Sequence, residues 1–253
     1  MKTKAKIKTV VVTGGTEGIG AAIVAEFYQN GMSVMVGARR DNGFVKKLGP
    51  RARFFSMDVR RESDHREMAE QALDWTRRLD VYVNCAGFSR WCAISCVDKK
   101  LWDEMIDTNL KGTFLGCKVA AEFMSKGASI INVASLAGKR GSANNSVYCI
   151  SKFGVTGLTQ ALAKELGARG IRVNSVCPVY VRTPGLLKAL SLKDSPATGN
   201  VELYLKQFTA QNAALNRLPT AKEVATVCVF LASAKASAIT GQSLNVDCGV
   251  LPQ

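Results

Sequence analysis

Thr9-Val10-Val11-Val12-Thr13-Gly14-Gly15-Thr16-Glu17-Gly18-Ile19-Gly20 is the stretch that decides the fold. A short β-branched run reads as a strand, and the glycines after it permit a sharp backbone turn. The apolar pattern that follows has helical spacing, so a strand over residues 7–13 and a helix over 18–30 are expected. A glycine turn on its own is weak evidence, and the argument rests on what repeats around it.

The strand–helix alternation continues along the chain. Strands are expected at 33–37, 53–57, 81–84, 130–134, 172–176 and 243–246, with helices at 42–48, 62–77, 145–166 and 221–232 and a long helical stretch at 98–125. Alternation of this kind makes an α/β protein, and the near-continuous apolar strands suit a doubly wound parallel sheet covered on both faces. No repeat or linker divides the chain, so a single domain over residues 1–253 is expected. Residues 184–216 break the rhythm with loop signals and amphipathic pieces but no strand. That lid-like insertion before the last helix is read as a substrate cover, because long irregular segments are usually functional or disordered.

Composition excludes several classes. Hydrophobic residues make up 47% of the 253, yet no apolar run is long enough to cross a bilayer, so no membrane span is expected. The basic start, Met1 to Lys8, leads into an apolar run too short for a signal-peptide core, which predicts a cytoplasmic location. The eight cysteines are scattered without a CxxC pair and His65 is the only histidine, so neither a disulfide framework nor a metal site is expected. The net charge of +14 is spread along the chain without interleaved aromatics. It reads as solvated helix faces and attraction for an anionic cofactor or substrate, and not as a nucleic-acid surface.

The chemistry lies in three residues. Tyr148 and Lys152 stand four apart in the expected helix at 145–166, so phenol and ammonium share one face. An adjacent cation favours the phenolate, which predicts a tyrosine usable as acid or base nearer neutrality. Ser135 follows the run Ile130-Ile131-Asn132-Val133-Ala134, at the carboxyl end of a strand where ligands bind in open α/β sheets. Singly, each has an ordinary reading as a turn or surface residue; order and placement together give the trio its weight.

These residues resemble the short-chain dehydrogenase/reductase family, its 3-oxoacyl reductase branch in particular, and the resemblance covers essentially the whole chain. It implies a Rossmann-type sheet. Gly14, Thr16, Glu17, Gly18, Ile19 and Gly20 resemble the family's cofactor turn, where a pyrophosphate approaches a helix N-terminus. Asp58-Val59 is similar to the pair that meets the adenine, and Asn84-Cys85-Ala86-Gly87 to an Asn-Asn-Ala-Gly turn. Pro178, Val181 and Thr183 are similar to a Pro-Gly segment beside the nicotinamide. Asn109, Ser135, Tyr148 and Lys152 resemble the catalytic set, in which tyrosine exchanges the proton, serine holds the substrate oxygen, and lysine binds the nicotinamide ribose and lowers the tyrosine pKa. Asn109 would anchor a water in the proton path. The implied reaction is hydride transfer between nicotinamide and a carbonyl or secondary alcohol, in a homotetramer or homodimer paired through the two long helices.

Cofactor choice can be argued from residues. The second strand ends Val36-Gly37-Ala38-Arg39-Arg40 without a carboxylate. A guanidinium at Arg39 suits a 2′-phosphate, which favours NADP(H), whereas Glu17 in the glycine turn points toward NAD(H). The alternatives are an NAD-dependent alcohol, polyol or sugar dehydrogenase and, more remotely, a basic binding protein on the same fold. Apolar walls are expected from Phe88, Trp91, Leu186, Leu187, Leu190, Tyr204 and Phe208. Arg90, Lys139 and Arg140 could meet an anionic small-molecule substrate. Cys85, Val179, Asn216 and Cys248 depart from the family pattern, the last three where relatives often carry glycine.

Overall fold

A computed structural model describes residues 8–252, so the expectations for Met1 to Ile7 lie outside the described residues. Seven parallel strands form one sheet in the order β3-β2-β1-β4-β5-β6-β7. They are β1 (Thr9–Thr13), β2 (Ser33–Ala38), β3 (Ala52–Ser56), β4 (Val81–Asn84), β5 (Ser129–Val133), β6 (Arg172–Pro178) and β7 (Ser243–Val246). The helices are α1 (Gly18–Gln29), α2 (Phe44–Leu48), α3 (Glu62–Thr76), α4 (Lys99–Ile106), α5 (Gly112–Phe123), α6 (Ser146–Gly167), α7 (Pro184–Leu190), α8 (Val201–Asn212) and α9 (Ala221–Ala232).

Strand periodicity divides the core between the two faces. Val10, Val12, Val34, Val36, Val81, Val83, Ile131 and Val133 pack with Ile23, Val24 and Phe27 of α1 and Val224, Cys228 and Leu231 of α9. The alternating partners Val11, Met35, Tyr82 and Ile130 pack with Met68 and Ala72 of α3, Cys117 and Ala120 of α5, and Leu166 of α6. Every strand between the edges is thus buried on both sides, which is why its sequence reads as continuously apolar.

Strand order reverses between β1 and β4, which pair with Val12 opposite Val83 and Thr13 opposite Asn84. The crevice beyond their carboxyl ends is the place where such sheets bind ligands. The expected helix over 98–125 is not continuous. A π-helical turn, Asp107–Lys111, separates α4 from α5. Two contacts hold it: the Thr113 hydroxyl donates to the Asn109 carbonyl at 2.8 Å, and the Asn109 side chain pairs with the Phe88 backbone. Helical periodicity in a sequence cannot register one wide turn.

Candidate active site

The glycine turn is held against the turn after β4. Gly14 has φ +66°, and a Cβ there would come within 2.6 Å of the Ala86 Cα. A Cβ on Gly20 would meet the Gly14 carbonyl oxygen at 2.1 Å, so α1 can pack onto the turn only with glycine at that position. The Thr13 hydroxyl accepts from the Cys85 and Ala86 N–H groups at 3.1 and 3.3 Å. Glu17 precedes α1 in extended conformation and gives no side-chain cap, and the first turn holds no acidic residue. The N–H groups of Gly18, Ile19 and Gly20 are therefore available to an anion at a positive helix end. Asn42 donates to the Thr16 carbonyl at 2.9 Å and fixes the loop after β2 beside the turn.

Arg39 is exposed, and its guanidinium joins none of the nine ion pairs among the described residues. Asp58 lies close enough to feel its charge. The Asp58 carboxyl is held down at about 2, chiefly by the Arg60 side chain, whose Nε donates at 2.9 Å. Val59 accepts from His65 through its carbonyl at 2.8 Å, and that buried imidazole also meets the Tyr82 hydroxyl at 2.7 Å. The segment after β3 is thus pinned from the interior.

Asn84 does not turn its amide toward the crevice. Its Nδ2 donates to Asn132 Oδ1 at 2.9 Å inside the core, in a chain that continues from Asn132 to the Thr159 hydroxyl at 3.0 Å. Any ligand contact there falls to the main chain of residues 84–87. Asn109 is fully buried; its side chain brackets Phe88, accepting from the N–H at 3.0 Å and donating to the carbonyl at 2.9 Å, and also donates to the Ser151 hydroxyl at 3.2 Å. Ser151 in turn donates to the Tyr148 carbonyl at 2.7 Å. The π turn and the tyrosine helix are joined by this relay.

Lys152 is buried, lies over the Tyr148 ring at 5.7 Å from its centroid, and donates to the Val133 carbonyl at 2.9 Å. A Cβ on Gly87 would lie 3.1 Å from Asn109 Oδ1 and 3.7 Å from Lys152 Nζ, so the β4 turn, the π turn and α6 converge on one point. Burial pushes the Lys152 ammonium down to about 8, with the Cys85 and Cys177 thiols acting weakly the other way. Burial also raises the Tyr148 phenol to about 12, partly offset by the Ser135 hydroxyl beside it. The ammonium is anchored on a strand carbonyl, and burial is the largest influence on the phenol.

The segment after β6 closes the site. Pro178 and Val181 are buried, and Val179 keeps an ordinary backbone, so the missing glycine there costs nothing. At Asn216 and Cys248 the backbone does enter the left-handed region, with φ 51° and 55°. Thr183 caps α7 by accepting from the Leu186 N–H at 3.2 Å, and its Cγ2 lies 3.2 Å from where a Gly18 Cβ would sit. Two ties hold α8 to this segment. Arg182 forms a two-pronged pair with Glu202 at 3.0 and 2.7 Å, and the Tyr180 and Tyr204 hydroxyls meet at 2.9 Å. The Tyr180 ring packs on Trp91, Tyr204 and Phe208 with centroids 6.4, 5.9 and 4.8 Å apart. Tyr180 was not among the residues singled out from sequence; its only signal is its place two positions after Pro178.

A glycine turn with open N–H groups, an unpaired arginine, and a serine, tyrosine and lysine thus meet at one sheet end. Residues 14–251 match the family model described as enoyl-(acyl carrier protein) reductase. The chain belongs to the short-chain dehydrogenase/reductase family. As a member of it, the protein is an oxidoreductase. It is 34% identical over 251 residues to the 3-oxoacyl-(acyl-carrier-protein) reductase FabG of Chlamydia pneumoniae, covering 96% of each chain. Ligand-free aldohexose dehydrogenase of Thermoplasma acidophilum superposes with a TM-score of 0.87 at 30% identity over 98% of both chains. A point variant of actinorhodin polyketide ketoreductase with NADPH does so with a TM-score of 0.87 at 32% identity, again over 98% of both.

Proposed function

We propose that this dehydrogenase/reductase is NADP(H)-dependent and interconverts a carbonyl compound, a ketone or 3-oxoacyl-type substrate, with its secondary alcohol. The observation that carries the reading is the convergence of Ser135, Tyr148 and Lys152 beside an uncapped helix and an unpaired Arg39. The residues fit a dinucleotide. Gly14, Thr16, Glu17, Gly18, Ile19 and Gly20 receive the pyrophosphate, and Arg39 grips a 2′-phosphate. Asp58 and Val59 border the adenine; main-chain groups of Asn84, Ala86 and Gly87, with Pro178, Val181 and Thr183, line the nicotinamide end.

When bound, the cofactor supplies or accepts the hydride. Tyr148 gives its proton to the substrate oxygen in reduction and takes it back in oxidation, while Ser135 hydrogen-bonds that oxygen. Lys152 holds the nicotinamide ribose, and Asn109 fixes the π turn that borders the proton path. Residues 184–216 act as the lid. NAD(H) with an alcohol, polyol or sugar is the second reading, supported by the likeness to an aldohexose dehydrogenase and by exposed Glu17. We place the protein in the cytoplasm, in keeping with eight free cysteines, and as a homodimer or homotetramer.

Calorimetric titration of NADPH and NADH into wild type and Arg39→Ala tests this. NADPH is expected to bind at least tenfold tighter than NADH in wild type, with the preference lost in the variant. NADH preference indifferent to Arg39 would instead establish the second reading.

A further inference from the structure

The Tyr180–Tyr204 pair poses an atom-counting question. Two phenols carry two hydroxyl protons, and the contact at 2.9 Å uses one of them. The second has no acceptor among the described residues. Arg140 stands nearby, two residues beyond Gly138 in the turn that follows Ser135. It is exposed, joins none of the ion pairs, and its charge is felt at both hydroxyls. Tyr180 is also within electrostatic reach of the Tyr148 phenol. The Trp91 and Phe208 rings pack against Tyr180 at this spot.

A free hydroxyl proton and an unpaired guanidinium offer two kinds of donor, one of them cationic. The positive charge favours an anionic acceptor over a neutral one, and a carboxylate accepts from both kinds of donor at once. We infer that Tyr180, Tyr204 and Arg140 form a second recognition point for a carboxylate at the far end of the carbonyl substrate, so that oxo acids are preferred over their uncharged analogues. This rests on the carbonyl-reduction reading and narrows its substrate class. The hydroxyl bridge joins α8 to the end of β6, so a carboxylate bound there also fastens the lid over the reacting carbonyl.

The test uses the full-length protein saturated with NADP⁺ or NADPH. Binding of 4-oxopentanoate, 5-oxohexanoate and 6-oxoheptanoate is measured against their methyl esters, and kcat and KM follow with NADPH. At least one acid is expected to bind tenfold or more tighter than its ester. That ratio should fall at least tenfold in Arg140→Gln, about threefold in Tyr204→Phe, and stay within about threefold in Arg140→Lys, with the change carried by KM. Esters bound as well as acids, or a ratio untouched by Arg140→Gln, would overturn the inference and leave the reductase reading standing. Acid binding that depends on Arg140 without any turnover would keep the recognition point and count against that reading.

Discussion

At the residue scale the decisive quantity is the cost of burying Lys152. Its folded pKa, about 8, lies below the ordinary lysine value, so between those limits the unfolded chain binds a proton that the native state does not. Wild-type stability therefore rises with pH across that window, and below it the full penalty remains. Lys152→Met should be more stable than wild type at pH 7 by on the order of 1–3 kcal/mol, with the gap closing between pH 8 and 10.5, read from urea midpoints. A gap that widens with pH would reverse the assignment. Cys248 and Asn216 hold left-handed backbone, which asparagine tolerates and cysteine does not. Cys248→Gly is expected to stabilise by about 0.5–1 kcal/mol, and Asn216→Gly to be neutral within about 0.5 kcal/mol. The sequence marked both positions as departures, but only the backbone angles show that one of them stores strain.

At the element scale the site depends on how closely α1 meets its turn. A Cβ on Gly20 would fall 2.1 Å from the Gly14 carbonyl, a backbone atom that cannot move without shifting β1. Gly20→Ala should cost more than about 2 kcal/mol in stability and remove nucleotide binding, whereas Gly31→Ala, where a Cβ meets nothing within 4 Å, should leave binding intact. Calorimetry of both variants checks the contrast. The strands and most helices were legible because each carries its own period, 2 or 3.6 residues. The π turn was not, because the Phe88 backbone that pairs with Asn109 there lies in another part of the chain. The direction of the Asn84 amide was equally hidden, since its partner Asn132 sits on a different strand.

At the scale of the whole molecule, apolar side chains remain uncovered on α4, α5 and α6. Trp102, Phe114, Ile150 and Phe153 are each between 42 and 48% exposed. Association through these helices would bury them, so Phe114→Glu with Phe153→Glu is expected to shift the sedimenting species toward monomer. A wild type that sediments as monomer would refute the oligomer. No helix among the described residues is long and apolar enough to cross a membrane. The sequence by itself determined the sheet, its two-sided core, the glycine turn and the Ser135, Tyr148 and Lys152 trio, because periodicity and spacing along one chain encode them. Only the tertiary structure decided that Lys152 is desolvated on the Val133 carbonyl, that burial raises the Tyr148 phenol, and that Tyr180 meets Tyr204. Burial and contacts between distant segments set those properties, and neither is a property of any local stretch of sequence.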